Sequence, residues 1–402
     1  MAKLNRRNFL ESSAGVAAAS TTLGMAVSPA VQAQNLSFKP EKGAKLRVLR
    51  WSRFVQGDID AYMANVKKFT ETTGIEVRVD NEGWEEVRPK AAVAANTGAG
   101  PDIILSTNDD ANLYPEKLLD VTDLCEYLGK KYGGFFPSCH AYLKPDGKKW
   151  IGVPLGAAGA MMVYRQSHLK AAGFDTFPKD TDGFLKMLKA LKEKGTPGGF
   201  ALGNATGDGL WCNWLMWAFG GKLVDANNKV VIDSPETIKA LEYAKEMYAT
   251  FPPGTLSWLD PNNNKAFLDG QVSVTNNGIS IYYATKTSTD EKVRALKEDV
   301  HHASYPVGPV GTPTESHLFF NQMIMKYSKF PNAAKEFLRF MMEKEQFDPW
   351  LTAAGGYIAP PLDFYTKSAV WTSDPKHTAY RDCVKNMRPA GYAGKMGYAS
   401  AG

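Results

Sequence analysis

The chain has 402 residues, 44% of them hydrophobic and 22% charged, with a formal net charge of +5. That length provides buried cores for two domains, and the mild, dispersed charge contains no Lys/Arg block of the kind that marks a nucleic-acid or lipid surface. No nucleic-acid partner is expected. The densest basic run, Lys186, Lys189, Lys192 and Lys194, lies on one amphipathic segment and reads as solvated surface.

The chain opens on Asn5-Arg6-Arg7-Asn8-Phe9-Leu10, a twin arginine before two large apolar residues. A small, apolar stretch from Ala14 to Val27 follows, then Pro29 and the small-x-small pattern Val31-Gln32-Ala33. The stretch is too short and too rich in Ala, Ser and Thr for a span, which needs ~20 strongly apolar residues. Residues 1–33 therefore read as a cleavable export signal, of the twin-arginine type or of the general Lys/Arg-start type. Cleavage after Ala33 removes Lys3, Arg6, Arg7 and Glu11, three bases and one acid, so the charge falls from +5 to +3. None of Cys125, Cys139, Cys212 and Cys383 stands near that point, so nothing there can be lipidated, and a freely diffusing periplasmic protein is expected. Cys125 and Cys139 are the local candidates for a disulfide; buried free thiols are the other reading.

Lys45 to Trp51 alternates like a strand and ends in a polar loop. A helix follows, with Ile59, Tyr62, Met63, Val66 and Phe69 on one face and Gly74 past its end. Ile75, Val77 and Val79 alternate in a second strand, Trp84 to Asn96 reads as a helix with an alanine face, and Ile103-Ile104-Leu105 as a buried strand. This βαβαβ rhythm predicts an open, doubly wound sheet whose ligands sit beyond the carboxyl ends of the strands. The loops at Trp51–Val55, Asn81–Glu85 and Ser106–Asp110 then point at one edge. Further on, Met161 to Tyr164 predicts a strand and Thr181 to Lys194 a helix. Asp233-Ser234-Pro235-Glu236 starts another helix, with Ile238, Leu241, Ala244, Tyr248 and Phe251 inward. Val272–Thr275 and Leu318–Met325 read as strands, and Pro331 opens a helix burying Ala334, Phe337, Leu338 and Met341.

Several chemistries lack their residues. Asp260-Pro261-Asn262-Asn263-Asn264 begins like a calcium loop, but Lys265 stands where glycine is needed and Gln271 where the bidentate glutamate belongs, so it reads as a turn. His301 and His302 are adjacent and face apart. No metal and no cofactor is expected. There is no Gly-x-Ser-x-Gly elbow, and Gly220-Gly221-Lys222 lacks the phosphate-loop spacing. Asp109 and Asp110, as sequence neighbours, make a poor glycosidase pair.

Aromatics beside hydrogen-bonding groups are present instead. Trp51, Trp84, Trp211, Trp214 and Trp258 each neighbour Ser, Asn, Asp or Glu. An indole face stacks on the C–H face of a sugar ring while amides and carboxylates take its hydroxyls. Trp84 and Trp211 fit that role. Trp211, Trp214 and Trp217, three apart, also fit a core stripe, and Trp217 beside Ala218 and Phe219 belongs to it.

An ordered series of segments carries a resemblance: Thr73-Gly74-Ile75-Glu76-Val77, Gly100-Pro101-Asp102-Ile103, Trp150-Ile151-Gly152-Val153-Pro154, Val163-Tyr164-Arg165, Ala171-Ala172-Gly173, Gly220-Gly221, Phe267-Leu268-Asp269-Gly270, Asn277-Gly278 and Pro331 to Leu338. From Leu46 to about Pro361 the chain resembles the carbohydrate-binding group of bacterial solute-binding proteins, the receptors of ABC-type importers, similar to the maltose-binding protein. The resemblance implies two doubly wound α/β lobes of the type II periplasmic-binding fold, joined by hinge crossings near Pro154–Met161, Thr275–Ser280 and Glu315–Asn321. It places residues 45–158 with 277–318 in the N-terminal lobe, and 159–276 with 319–402 in the C-terminal lobe. Carried over position by position, the family's contacts fall on Trp51, Ser52, Arg53, Trp84, Glu85, Asn108, Asp109, Trp211, Asn213, Asn277, Gly278 and Tyr357. Three departures stand out. Ser280 occupies the place of a frequent tryptophan, Gly156-Ala157-Ala158-Gly159-Ala160 offers room but little chemistry at a crossing, and relatives usually continue past Gly402.

The implied function is a monomeric, non-enzymatic periplasmic receptor that closes over a sugar or polyol and delivers it to the importer's membrane subunits. The rival reading is a secreted glycoside or ester hydrolase. A narrower variant, favoured by Arg53 and the missing tryptophan, is a receptor for a phosphorylated polyol or anionic sugar.

Overall fold

The computed structural model describes residues 37–52 and 54–389; the expected leader, Arg53 and residues 390–402 lie outside them. The chain opens with β1 (Lys45–Trp51), α1 (Gln56–Thr73), β2 (Glu76–Glu82), α2 (Trp84–Thr97) and β3 (Ile103–Thr107), the expected βαβαβ order. β1 pairs in parallel with β2 from Lys45 opposite Glu76 to Trp51 opposite Glu82, and with β3 at Val48 and Leu49. Helix α1 buries Tyr62, Val66 and Phe69 and stops at Gly74, whose φ of 73° and N–H to the Thr70 carbonyl form a left-handed cap.

Next come β4 (Val153–Ala158), β5 (Met161–Arg165), α3 (Thr181–Glu193), α4 (Trp211–Ala218), α5 (Pro235–Tyr248), α6 (Asp260–Leu268), β6 (Val274–Asn277) and α7 (Ser280–Thr287). They are followed by β7 (Val300–Ala303), β8 (Leu318–Ile324), α8 (Pro331–Met342) and α9 (Lys344–Ala353). Two sheets result. One has the order β2-β1-β3-β8-β4, with β8 antiparallel to both neighbours; the other is β6-β5-β7, antiparallel throughout. Each sheet anchors one α/β lobe.

Strand pairing redraws the lobes. Val300–Ala303, expected in the N-terminal lobe, is β7 of the second sheet. Leu318–Ile324, assigned to the C-terminal lobe from 319 onward, inserts between β3 and β4 of the first sheet. All seven of its residues are buried, and a strand hidden on both faces needs hydrogen-bond partners along both edges. Helices α8 and α9 follow it, burying Phe337, Leu338, Met341 and Trp350 beside α1 in the same lobe.

Helix α5 is turned relative to expectation. Ala240, Tyr243 and Met247 face inward, while Ile238 and Leu241 are 51% and 63% exposed. The Tyr243 hydroxyl donates to the Thr181 carbonyl at the start of α3, and only this rotation lets the phenol be both buried and bonded. Asp260 to Asn264, read as a turn, is the first turn of α6.

The chain passes between the lobes at Gly159–Ala160, at Gly278–Ile279 and along residues 304–317. The glycine-alanine run at the first crossing is a spacing device. Gly156 has φ +140°, and a Cβ there would stand 2.2 Å from the Ala359 carbonyl oxygen. At Gly159 a Cβ would meet the Cys383 sulfur at 2.5 Å.

All four cysteines are free: Cys125 and Cys139 are separately buried, with Sγ atoms against the Gly152 and Pro361 carbonyls at 3.7 and 3.8 Å. Cys383 is buried as well, and Cys212 is exposed. Titration with an aromatic disulfide reagent is expected to find one reactive thiol in the native protein and four after unfolding in denaturant. Two after unfolding would reveal a disulfide and contradict this arrangement.

Candidate functional site

The crossings meet at a cavity of about 40 Å³, partly open to solvent, well below the ~300–1,000 Å³ typical of small-molecule sites, so a ligand enters only when the lobes part. Its wall on the first lobe is aromatic: Phe54, Trp84 and Tyr357. Trp84 opens α2 and lies flat on Trp51, centroids 4.7 Å apart and planes at 10°; Trp51 in turn stacks on Phe320 at 4.5 Å. Phe320 also faces Trp84, at 5.7 Å, so a cluster of three mutually packed rings fixes the orientation of the one indole that reaches the cavity. The floor is Ala158, Gly159, Ala160 and Gly278.

The opposite wall is polar, formed by Asp208, Asp260, Asn277 and Ser280. Asn277 donates from Nδ2 to Asp208 Oδ2 at 3.2 Å and to the Asn264 side-chain carbonyl, and accepts from Ser280 Oγ at 2.8 Å. Asp260, at the start of α6, accepts backbone N–H bonds from Thr206, Gly207 and Asp208 at 3.1, 3.1 and 2.8 Å. Burial pushes the Asp208 carboxyl well above the usual carboxylate range, and Asp260 pushes it further. Asp260 is raised by its own burial, pulled back by its backbone donors and pushed up by Glu85 from the other lobe. The Tyr357 phenol is held high by burial, with Asp58, Asp208 and Asp260 adding to it. A wall of flat apolar rings facing a wall of hydrogen-bonding arms can sandwich a polar ring and read its hydroxyls.

Of the twelve residues expected here, Trp84, Asn277, Gly278 and Tyr357 line the cavity. Glu85 stands at its side, close enough to act on Asp260. Ser52 donates to the Glu82 carbonyl at 3.2 Å and lines a neighbouring surface depression with Phe54 and Tyr283. Arg53 lies outside the described residues. The other five do not reach the cavity. Trp51 is fully buried beneath Trp84. Trp211 is buried in the second lobe, its Nε1 donating to the Ala201 carbonyl at 2.8 Å, and Asn213 lies beside it on an apolar groove. The core-stripe reading of these tryptophans therefore holds for Trp211 as it does for Trp217, which is 1% exposed.

Asn108 and Asp109 serve the sheet edge. Asn108 has φ +45°, its Oδ1 accepts from the Phe319 N–H at 3.2 Å, and its carbonyl accepts from Asn321 Nδ2 at 3.2 Å. Asp109 lies 3.7 Å from Arg88. Phe54, Asp208, Asp260 and Ser280 are site residues that sequence reasoning passed over. Asp260 had one signal, an acidic residue directly before a proline at the start of a helix.

Beside Asp109, Asp110 is buried against the Ser106 hydroxyl and Arg88 at 2.8 Å, and burial raises its carboxyl to about 6. A carboxyl raised in the fold favours the native state when protonated. Stability should therefore fall as pH rises from about 4 through 6, by roughly 3 kcal/mol at full ionisation. Asp110→Asn is expected to abolish that slope, so the variant gains on the parent by roughly 2–3 kcal/mol between pH 4 and pH 7.5 in urea titrations. A difference that does not change with pH would contradict it.

Among the described residues, no group of three or more His, Cys, Asp or Glu could hold a metal ion, and no helix is long and apolar enough to cross a membrane.

A family model described as bacterial extracellular solute-binding protein matches residues 64–379. The putative ABC transporter periplasmic-binding protein YcjN of Escherichia coli K12 is 24% identical over 332 residues, 79% of this chain and 72% of that protein. Among solved structures, maltose-bound MalE3 of T. maritima superposes with a TM-score of 0.72 at 20% identity, over 86% of this chain and 89% of that one. A solute-binding protein of Thermotoga lettingae bound with alpha-D-tagatose gives 0.72 at 19% identity, over 87% and 89%. At these identities the superpositions show the fold, the type II arrangement of two α/β lobes around a cleft.

Proposed function

Because the chain belongs to the family of bacterial extracellular solute-binding proteins, we propose that it is the periplasmic receptor of an ABC-type importer, acting as a monomer on a sugar or polyol. The observation that carries this reading is the placement of Phe54, Trp84 and Tyr357 on one lobe opposite Asp208, Asp260, Asn277 and Ser280 across the crossings. A ligand touching both walls gains contacts in the closed state that the open state lacks, and this differential affinity drives closure. The small glycines at the crossings leave backbone free to bend there. The closed lobes then present one shape to the membrane subunits. Relatives of the same fold are described with maltose, alpha-D-tagatose and laminaribiose bound, which fits a hydroxylated cargo.

Binding is the role assigned, without turnover. Three backbone N–H groups hold Asp260 in place, which suits fixing the 206–208 loop better than attacking a bond and leaves the carboxylate one acceptor position. The acidic wall also counts against the anionic-sugar variant, since an anion would enter beside Asp208 and Asp260. Isothermal titration against a panel of mono- and disaccharides and polyols tests the reading, with X-ray scattering before and after addition. At least one member is expected to bind and shrink the radius of gyration. Absence of heat and of shrinkage across the panel would overturn it.

A further inference from the structure

The polar wall gathers more acidic groups than hydroxyl recognition requires. The Asp208 N–H donates to Asp260 Oδ1 at 2.8 Å, so the two carboxylates belong to neighbouring groups on one patch of the cavity. Glu85 adds a third acid from the facing lobe. Among the described residues no Lys, Arg or His forms an ion pair with any of the three, although the rest of the molecule pairs its buried acids closely, as Arg50 does with Asp58 and Arg339 with Glu336. A second observation points the same way. Tyr357 is 4% exposed, lines this cavity and lies within electrostatic reach of Asp208 and Asp260, yet its hydroxyl has no hydrogen-bond partner among the described residues.

We propose that the cargo carries a protonated amine on its hydroxylated frame, an amino sugar or amino polyol, with the ammonium seated between Asp208, Asp260 and the Tyr357 hydroxyl. This rests on the receptor reading above and names the class of ligand for the same cavity. An ammonium offers three N–H donors and no acceptor. It can therefore donate to both carboxyl groups and a phenolic oxygen at once, and its charge favours the ionised form of each acid as a neutral hydroxyl does not. The faces of Trp84 and Phe54 add an attraction for positive charge that a neutral sugar does not exploit. Asp208, crowded by Asp260 in the empty cavity, is the acid whose ionisation the cation would most favour.

Matched probes test this. Glucosamine, galactosamine, mannosamine and the chitosan disaccharide are compared with glucose, galactose, mannose and cellobiose, and with the N-acetylated amino sugars, by isothermal titration at pH 7. At least one aminated member should bind tenfold or more tighter than both its hydroxyl and its N-acetyl counterpart. In Asp208→Asn, nearly isosteric but unable to ionise, that preference should collapse to within about threefold. Neutral parents binding as tightly as the amines, or a preference that survives Asp208→Asn, would overturn the amine assignment and leave the receptor reading standing. Silence from every member of every set would sink both.

Discussion

Replacing Asp58 by alanine is expected to lower the free energy of unfolding by about 3–5 kcal/mol, the cost of leaving a buried charge without its counter-ion. Arg50, on β1, and Asp58, in the first turn of α1, are both completely buried and paired with each other. The guanidinium lies 4.2 Å from the centre of the Tyr62 ring, and Asp58 also accepts from Trp350 Nε1 at 2.7 Å. One carboxylate thus joins β1, α1 and α9. Arg50 Nε and Nη1 have no hydrogen-bond partner among the described residues, so the substitution leaves the cation with nothing but aromatic faces. Against a total stability of about 5–15 kcal/mol this is a large fraction. Urea unfolding monitored by circular dichroism measures it. The double variant Arg50→Met, Asp58→Leu should recover most of the loss, because apolar groups of similar volume replace a buried pair at little cost. A single-variant loss under about 1 kcal/mol would mean that water reaches Arg50, contradicting its burial.

Trp84→Ala is expected to act on stability and binding together. The indole is 3% exposed and lies between Trp51 and the cavity, with Phe320 at 5.7 Å completing the stack. Its removal opens a hole on top of Trp51, which for a buried tryptophan costs about 3–5 kcal/mol. It also takes away the broadest flat surface on the aromatic wall, and loss of such an anchor weakens binding by about 2 kcal/mol or more, roughly thirtyfold in Kd. Trp84→Phe separates the two effects. A phenyl ring still covers Trp51, so stability should fall by less than half as much, while affinity for whichever solute the titrations identify still drops severalfold. Unchanged affinity in Trp84→Ala, measured at a temperature where the variant remains folded, would remove Trp84 from the site.

The first lobe was legible because its elements announce themselves locally. Alternation in Lys45–Trp51, the spacing of Tyr62, Val66 and Phe69, and Gly74 at a left-handed cap each reflect geometry within a few residues. Residues at the ends of those elements, such as Trp84, and at a crossing, such as Asn277 and Gly278, were expected beside the cleft for the same reason, and they line the cavity. Helix α5 shows the limit. Its two possible apolar stripes, Ile238 with Leu241 and Tyr243 with Met247, differ by a modest rotation, and the hydrogen bond from Tyr243 to Thr181, 62 residues away, selects between them. Tryptophans beside polar residues were equally ambiguous: Trp84 and Trp211 have similar neighbours, yet only Trp84 meets the cavity.

By itself the sequence determined the element order, the covalent punctuation by glycine and proline, and the supply of aromatic and amide groups, because backbone sterics and apolar periodicity act over one or two turns. Tertiary structure alone decided that β8 returns to the first sheet, that Trp51 lies under Trp84, and that Asp208 and Asp260 share a wall. Those outcomes depend on which distant surfaces satisfy a buried strand's hydrogen bonds and which charges are brought together out of water, and no local pattern encodes either.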